Sequence, residues 1–83
     1  MITDDLKALM QIPGLSGHEG RVAAAISQRM PISCTTDRLG NLIATFTGTD
    51  PSVMLFTHMD QLGFIVRKIE DNGLIRLHRM GGV

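Results

Sequence analysis

His58 and Asp60 stand two positions apart, directly after Val53-Met54-Leu55-Phe56, the most apolar run in the chain. Side chains of an extended segment alternate, so the imidazole and the carboxylate share one face while Met59 points the other way. Ionisable groups beside such a run are costly unless each finds a partner. A neutral imidazole is a common ligand for zinc and similar metals. A ligating histidine usually donates its other ring N–H to a carboxylate, which fixes the tautomer and strengthens the ligand. Asp60 is placed to accept that bond. The same His-x-Asp pair can equally be a structural contact at a strand end, and two groups fall short of the three protein ligands of a catalytic zinc. On spacing alone both readings stand.

The other reactive side chains add little. His18 lies in a loop beside Glu19, whose expected work is helix capping. His78 falls between Leu77 and Arg79 on a late strand and is expected to be exposed. Neither has ligand spacing to His58. Cys34, in Ile32-Ser33-Cys34-Thr35, has no adjacent base and no helix N-terminus to lower its pKa. Gly14-Leu15-Ser16-Gly17 follows a helix rather than a strand and lacks the lysine of a phosphate loop.

These residues need elements to hold them. Thr3 or Asp4 can cap a first helix striped by Leu6, Leu9 and Met10, and Pro13 ends it by biasing Ile12 away from helix. Ser16 and Glu19 stand in capping-box register before a second helix lined by Val22, Ala23, Ile26 and Met30, which Pro31 ends. Residues 32–37 and 41–47 read as strands around Arg38-Leu39-Gly40. Residues 53–57 are apolar without alternation, the texture of a strand covered on both faces. Residues 63–70 and 74–80 form a second hairpin around Asp71-Asn72-Gly73, whose Asn-Gly is a strong turn signal. The fold class is therefore α/β: two N-terminal helices followed by about five strands. His58 comes just beyond the third strand, where open α/β sheets gather their ligands. Two short helices scarcely cover one side of such a sheet, and Gly81-Gly82-Val83 reads as a cut rather than an end.

With 83 residues the chain is one small domain or a piece of a larger one. A domain of that size buries only roughly 60–65% of its unfolded surface. With a single cysteine it forms no internal disulfide. One cysteine and six methionines suit a reducing, cytoplasmic setting. The acidic start MITDDLKALM is not a signal peptide, and no apolar run approaches the ~18 residues of a membrane span. Eight basic residues balance eight acidic ones, and the loose group Arg67, Lys68, Arg76 and Arg79 reads as a solvated strand face. Nucleic-acid binding has no support from that pattern.

Five stretches together resemble the opening of the M42 family of metallo-aminopeptidases. They are Pro13-Gly14-Leu15-Ser16-Gly17-His18-Glu19; Asp37-x-Leu39-Gly40-Asn41-Leu42; His58-Met59-Asp60-x-Leu62-Gly63-Phe64-Ile65-Val66; Asp71-x-Gly73; and Met80-Gly81-Gly82. The resemblance runs along essentially the whole chain. It implies the start of a zinc-peptidase-like, mixed-sheet catalytic domain over residues 1–83, truncated near an inserted dimerisation domain. It also implies a site of two divalent metals, zinc or cobalt, with His58 as the first ligand and Asp60 as the active-site aspartate that orients it. The complete enzymes cut single residues from peptide N-termini and assemble as homo-oligomers, from dimers to dodecamers. Gln61 departs from the glutamate that members often carry, and the remaining ligands and the general-base glutamate would lie downstream. The chain alone is therefore expected to be inactive. The alternative is a non-catalytic module that pairs with a full-length relative.

Overall fold

Helix α1 spans Ile2–Met10 and α2 spans Gly20–Arg29, followed by short strands β1 (Thr35–Thr36) and β2 (Leu42–Ile43) and longer strands β3 (Gly63–Ile69) and β4 (Ile75–Met80). The computed structural model describes residues 1–82. Both helices follow their apolar spacing, but neither begins where its capping residues suggest. The residue capping α1 is Met1, and the one capping α2 is Glu19, with no side-chain capping bond at either. The Ser16–Glu19 capping box does not form. Glu19 Oε1 instead accepts the His18 backbone N–H at 2.9 Å, which satisfies a donor in the loop and starts α2 later. The two helices meet side by side, joined by an exposed Asp5–Arg29 ion pair at 3.4 Å. Such a pair contributes at most about 1 kcal/mol.

The strands make two separate two-stranded antiparallel sheets, β1–β2 and β3–β4. Among the described residues this is a small mixed α/β arrangement with four strands, not five. The expected third strand, residues 53–57, belongs to neither sheet, and Val53, Met54, Leu55 and Phe56 are 82–92% exposed. An apolar run becomes a central strand only when neighbours pair with it, and among the described residues none pairs with it. The two hairpins accordingly do not merge into one mixed sheet. Strands 32–37 and 41–47 likewise shrink to two residues each.

Both turns form as their residues dictate. Asp37 organises the first: Oδ1 accepts the N–H of Leu39 at 3.0 Å and of Asn41 at 2.9 Å, and Oδ2 accepts Asn41 Nδ2 at 2.8 Å. Gly40 takes φ +87°, a conformation L side chains avoid. These bonds, the Asn41 side chain foremost, hold the Asp37 carboxyl below its ordinary pKa. In the second turn Gly73 takes φ +88° while Asn72 Oδ1 accepts the Leu74 N–H at 3.1 Å.

The register of β3–β4 pairs Phe64 with Arg79, Val66 with Leu77, Lys68 with Arg76 and Ile69 with Ile75. Arg67 is the extra residue of a β-bulge between Val66 and Lys68. Because of it, Phe64, Val66 and Ile69 share a face with Ile75, Leu77 and Arg79. Lys68, Glu70 and Arg76 lie on the other, where Glu70 pairs with both basic groups. Arg79 therefore parts company with the basic group it was read with.

Little of this is core. Among the described residues only Gly14, Val22 and Ala23 are buried. The accessible surface is 7492 Å², against about 4,900 Å² for a compact monomer of this mass. The radius of gyration is 16.8 Å, against about 12 Å for a compact chain of this length. No helix is long and apolar enough to cross a membrane among the described residues.

Candidate functional site

The segment carrying His58 and Asp60 is docked at one point. The Gln61 N–H donates to the Gly14 carbonyl at 2.7 Å, and Gln61 makes an isolated parallel bridge with Leu15. The Gln61 side-chain amide donates to the carbonyl of Met10, the last residue of α1, at 3.4 Å. A carboxylate in that position has no N–H to give, so this contact uses the feature in which Gln61 departs from a glutamate. Gly14 allows the approach because it is packed hard against α2: a Cβ there would lie 2.5 Å from Val22 Cγ2. Gly63, just beyond, abuts Leu15 in the same way, with Cδ2 2.5 Å from where its Cβ would be. The loop between the helices thus fixes the start of β3, and with it the position of Asp60.

Asp60 in turn holds His58. His58 Nδ1 lies 3.2 Å from Asp60 Oδ1 and 3.1 Å from the Asp60 carbonyl oxygen. With Nδ1–H donating to these acceptors, the neutral ring keeps its lone pair on Nε2. The imidazole is 84% exposed, so that nitrogen can meet an incoming group at little desolvation cost. The structure brings together the two residues singled out by their spacing, in the contact that the spacing suggests.

The other candidates stay apart. His18 sits in the exposed loop before α2, and His78 is exposed on β4 in register with Ile65. Cys34 is half-buried ahead of β1, its Sγ 3.8 Å from the Ile32 carbonyl. No group of three His, Cys, Asp or Glu side chains able to hold a metal exists among the described residues. One imidazole beside one carboxylate falls short of the three protein ligands that a catalytic zinc takes.

Residues 40–83 match the family model described as M42 glutamyl aminopeptidase, just over half of the chain. The chain belongs to the M42 family. Among M42-related proteins it is 39% identical over 87 residues to SgcX of Escherichia coli, covering 98% of this chain and 23% of that protein. It is 35% identical over 82 residues to the lysyl aminopeptidase of Pyrococcus furiosus, covering 94% and 24%. It is 34% identical over 85 residues to the glutamyl aminopeptidase of Lactococcus lactis, covering 95% and 24%. The chain therefore spans about a quarter of the length of the curated relatives it matches. No solved structure matches it significantly.

Gln61 and Gly14 are the positioning residues that spacing alone does not reveal. Their contact joins segments far apart in sequence, and neither residue type advertises it. Gly14 carries the only hint, as a small residue preceding the apolar face of a helix.

Proposed function

We propose that this chain is the N-terminal part of an M42 aminopeptidase catalytic domain, bearing the histidine and aspartate of a site that removes N-terminal residues from peptides. The observation that carries the proposal is the His58–Asp60 contact, in a chain whose relatives are aminopeptidases. Asp60 accepts a hydrogen bond from Nδ1–H and fixes the ring, so that His58 offers Nε2 as a ligand. In the complete enzyme two divalent ions, zinc or cobalt, would polarise the scissile carbonyl and activate a water. Three quarters of the relatives' length lies outside the match, and the further ligands and the general base belong there. The 83-residue chain is accordingly inactive by itself. Homo-oligomeric assembly and a cytoplasmic setting are properties proposed for the whole enzyme. One relative is named for lysyl and another for glutamyl substrates, so no residue preference passes to this chain.

Two measurements test this. The purified chain with added zinc or cobalt is expected to leave lysyl and glutamyl p-nitroanilides uncut; turnover that a chelator and His58→Ala both abolish would overturn the proposed inactivity. In the second, this chain replaces the matched quarter of the Pyrococcus lysyl aminopeptidase. There Asp60→Ala is expected to lower metal affinity or activity about 10- to 100-fold, as loss of an orienting carboxylate does. An active graft indifferent to His58→Ala would refute the ligand assignment.

The second reading, a non-catalytic module that pairs with a full-length relative, draws support from the exposed apolar face of the β3–β4 hairpin.

A further inference from the structure

The β3–β4 hairpin has two unlike faces. One carries the charged Lys68, Glu70 and Arg76 toward the turn and the half-buried Ile65 and Met80 toward the Leu15 end. The other carries Phe64, Val66, Ile69, Ile75 and Leu77, which are 51–66% exposed, with Arg79 at one end. Antiparallel sheets ordinarily turn such an apolar face toward a core. Neither helix supplies one here. The bulge at Arg67 sharpens the point: pairing Arg67 in regular register would bring Lys68 onto the apolar face and turn Ile69 away. One extra residue, absorbed by the bulge, keeps all five apolar side chains together.

A contiguous apolar face of this kind marks an interaction surface. The chain matches relatives at only 23–24% of their length, so most of an M42 polypeptide lies outside the matched part. From the apolar face and that length we infer that the Phe64/Val66/Ile69/Ile75/Leu77 face is a docking surface for an apolar layer of the M42 polypeptide corresponding to the relatives' unmatched three quarters. The inference rests on the reading of this chain as one part of an M42 enzyme, but it concerns packing and needs neither metal nor turnover. A single charge at the rim leaves the middle of the face suited to aliphatic or aromatic side chains.

Thiol labelling tests it. Val66→Cys and Lys68→Cys, each in a Cys34→Ser background, place one reporter on each face of the same hairpin. Labelling rates are compared in three settings with chelator present throughout. These are the chain alone over a range of concentrations, the chain co-expressed with the unmatched three quarters of the Pyrococcus relative, and the covalent graft of the two. In at least one of the joined forms the Val66→Cys thiol is expected to label about ten-fold or more slowly than in the isolated chain. That corresponds to an open-face population of about 10% or less. Lys68→Cys should change less than about two-fold in the same setting. Equal rates at the two positions in both joined forms would overturn the inference. So would slowing of Val66→Cys as the chain's own concentration rises without the added polypeptide, since a second copy would then be the occupant. Slowed labelling in a graft that does not hydrolyse peptides would leave this inference standing and count against the proposed function instead.

Discussion

Replacing Gly14 by alanine places a Cβ 2.5 Å from Val22 Cγ2, well inside contact distance. Val22 cannot move away cheaply. It is β-branched, which leaves essentially one χ1 rotamer in a helix, and at 4% exposed it is the most buried side chain described. Overpacking of this kind costs about 1–3 kcal/mol. The strain falls on the Gly14 carbonyl, which accepts the Gln61 N–H at 2.7 Å and so docks the His58–Asp60 segment. At 1.36 kcal/mol per decade, the Gln61 amide should lose roughly 5- to 160-fold of its protection from hydrogen exchange. The Met30 amide at the far end of α2, bonded to the Ile26 carbonyl at 3.1 Å, serves as the internal control and should change little. Gly63→Ala offers a contrast. Its Cβ also meets a carbon at 2.5 Å, but that carbon is the end of the half-buried Leu15 side chain. Leu15 can shift at a cost nearer 0.5–1.5 kcal/mol. Adding Val22→Ala to Gly14→Ala removes the clashing methyl and should abolish the extra penalty, leaving a non-additive cycle. Unchanged Gln61 protection in Gly14→Ala, or strict additivity in the double variant, would refute the account of how the segment is held.

Gly40→Ala forces an L side chain to φ +87° and should cost about 1–2 kcal/mol, read as loss of the Thr36–Leu42 cross-strand contact by NMR. The Asp37 carboxyl, held below its ordinary pKa of about 3.9 by the bonds from Asn41 and its neighbours, stabilises the β1–β2 turn above that value; the stabilisation fades as pH falls through the lower folded pKa. The Leu39 and Asn41 amide signals should therefore titrate with a midpoint below that of an ordinary aspartate, and Asp37→Asn should remove that step. Deleting Arg67 removes the bulged residue and should leave Ile69 opposite Ile75 in a regular ladder. Cross-strand contacts that pair Ile69 with Arg76 instead would contradict the assignment of the bulge.

Legibility followed locality. The helix stripes, the Asn72-Gly73 turn and the Asp37–Asn41 turn are each set by residues within a few positions of one another, and each formed. The His58–Asp60 contact is equally local, which is why a two-residue spacing sufficed to suggest it. The Ser16–Glu19 box failed although it too is local, because Glu19 had a nearer donor in the His18 N–H. The Gly14–Gln61 bond joins residues more than forty positions apart, and no pattern in either segment encodes the pairing.

Val53–Phe56 shows where composition stops specifying structure. Its apolar texture describes an environment, two covered faces, while a strand is a set of hydrogen bonds to neighbours. The exposure of these four residues, like that of the bulged hairpin face, lies on segments that flank the docked Asp60–Gln61 stretch. Asp60 is tied to the helices through Gln61, whereas the His58 ring is held by Asp60 and follows a run whose side chains are exposed. Positioning a ligand within the tolerance that catalysis demands requires both sides of its segment to be fixed. Under the proposed reading, in which His58 is a ligand, partners for these apolar surfaces would also complete the support of His58, so packing of the sheet and organisation of the site would be one requirement rather than two.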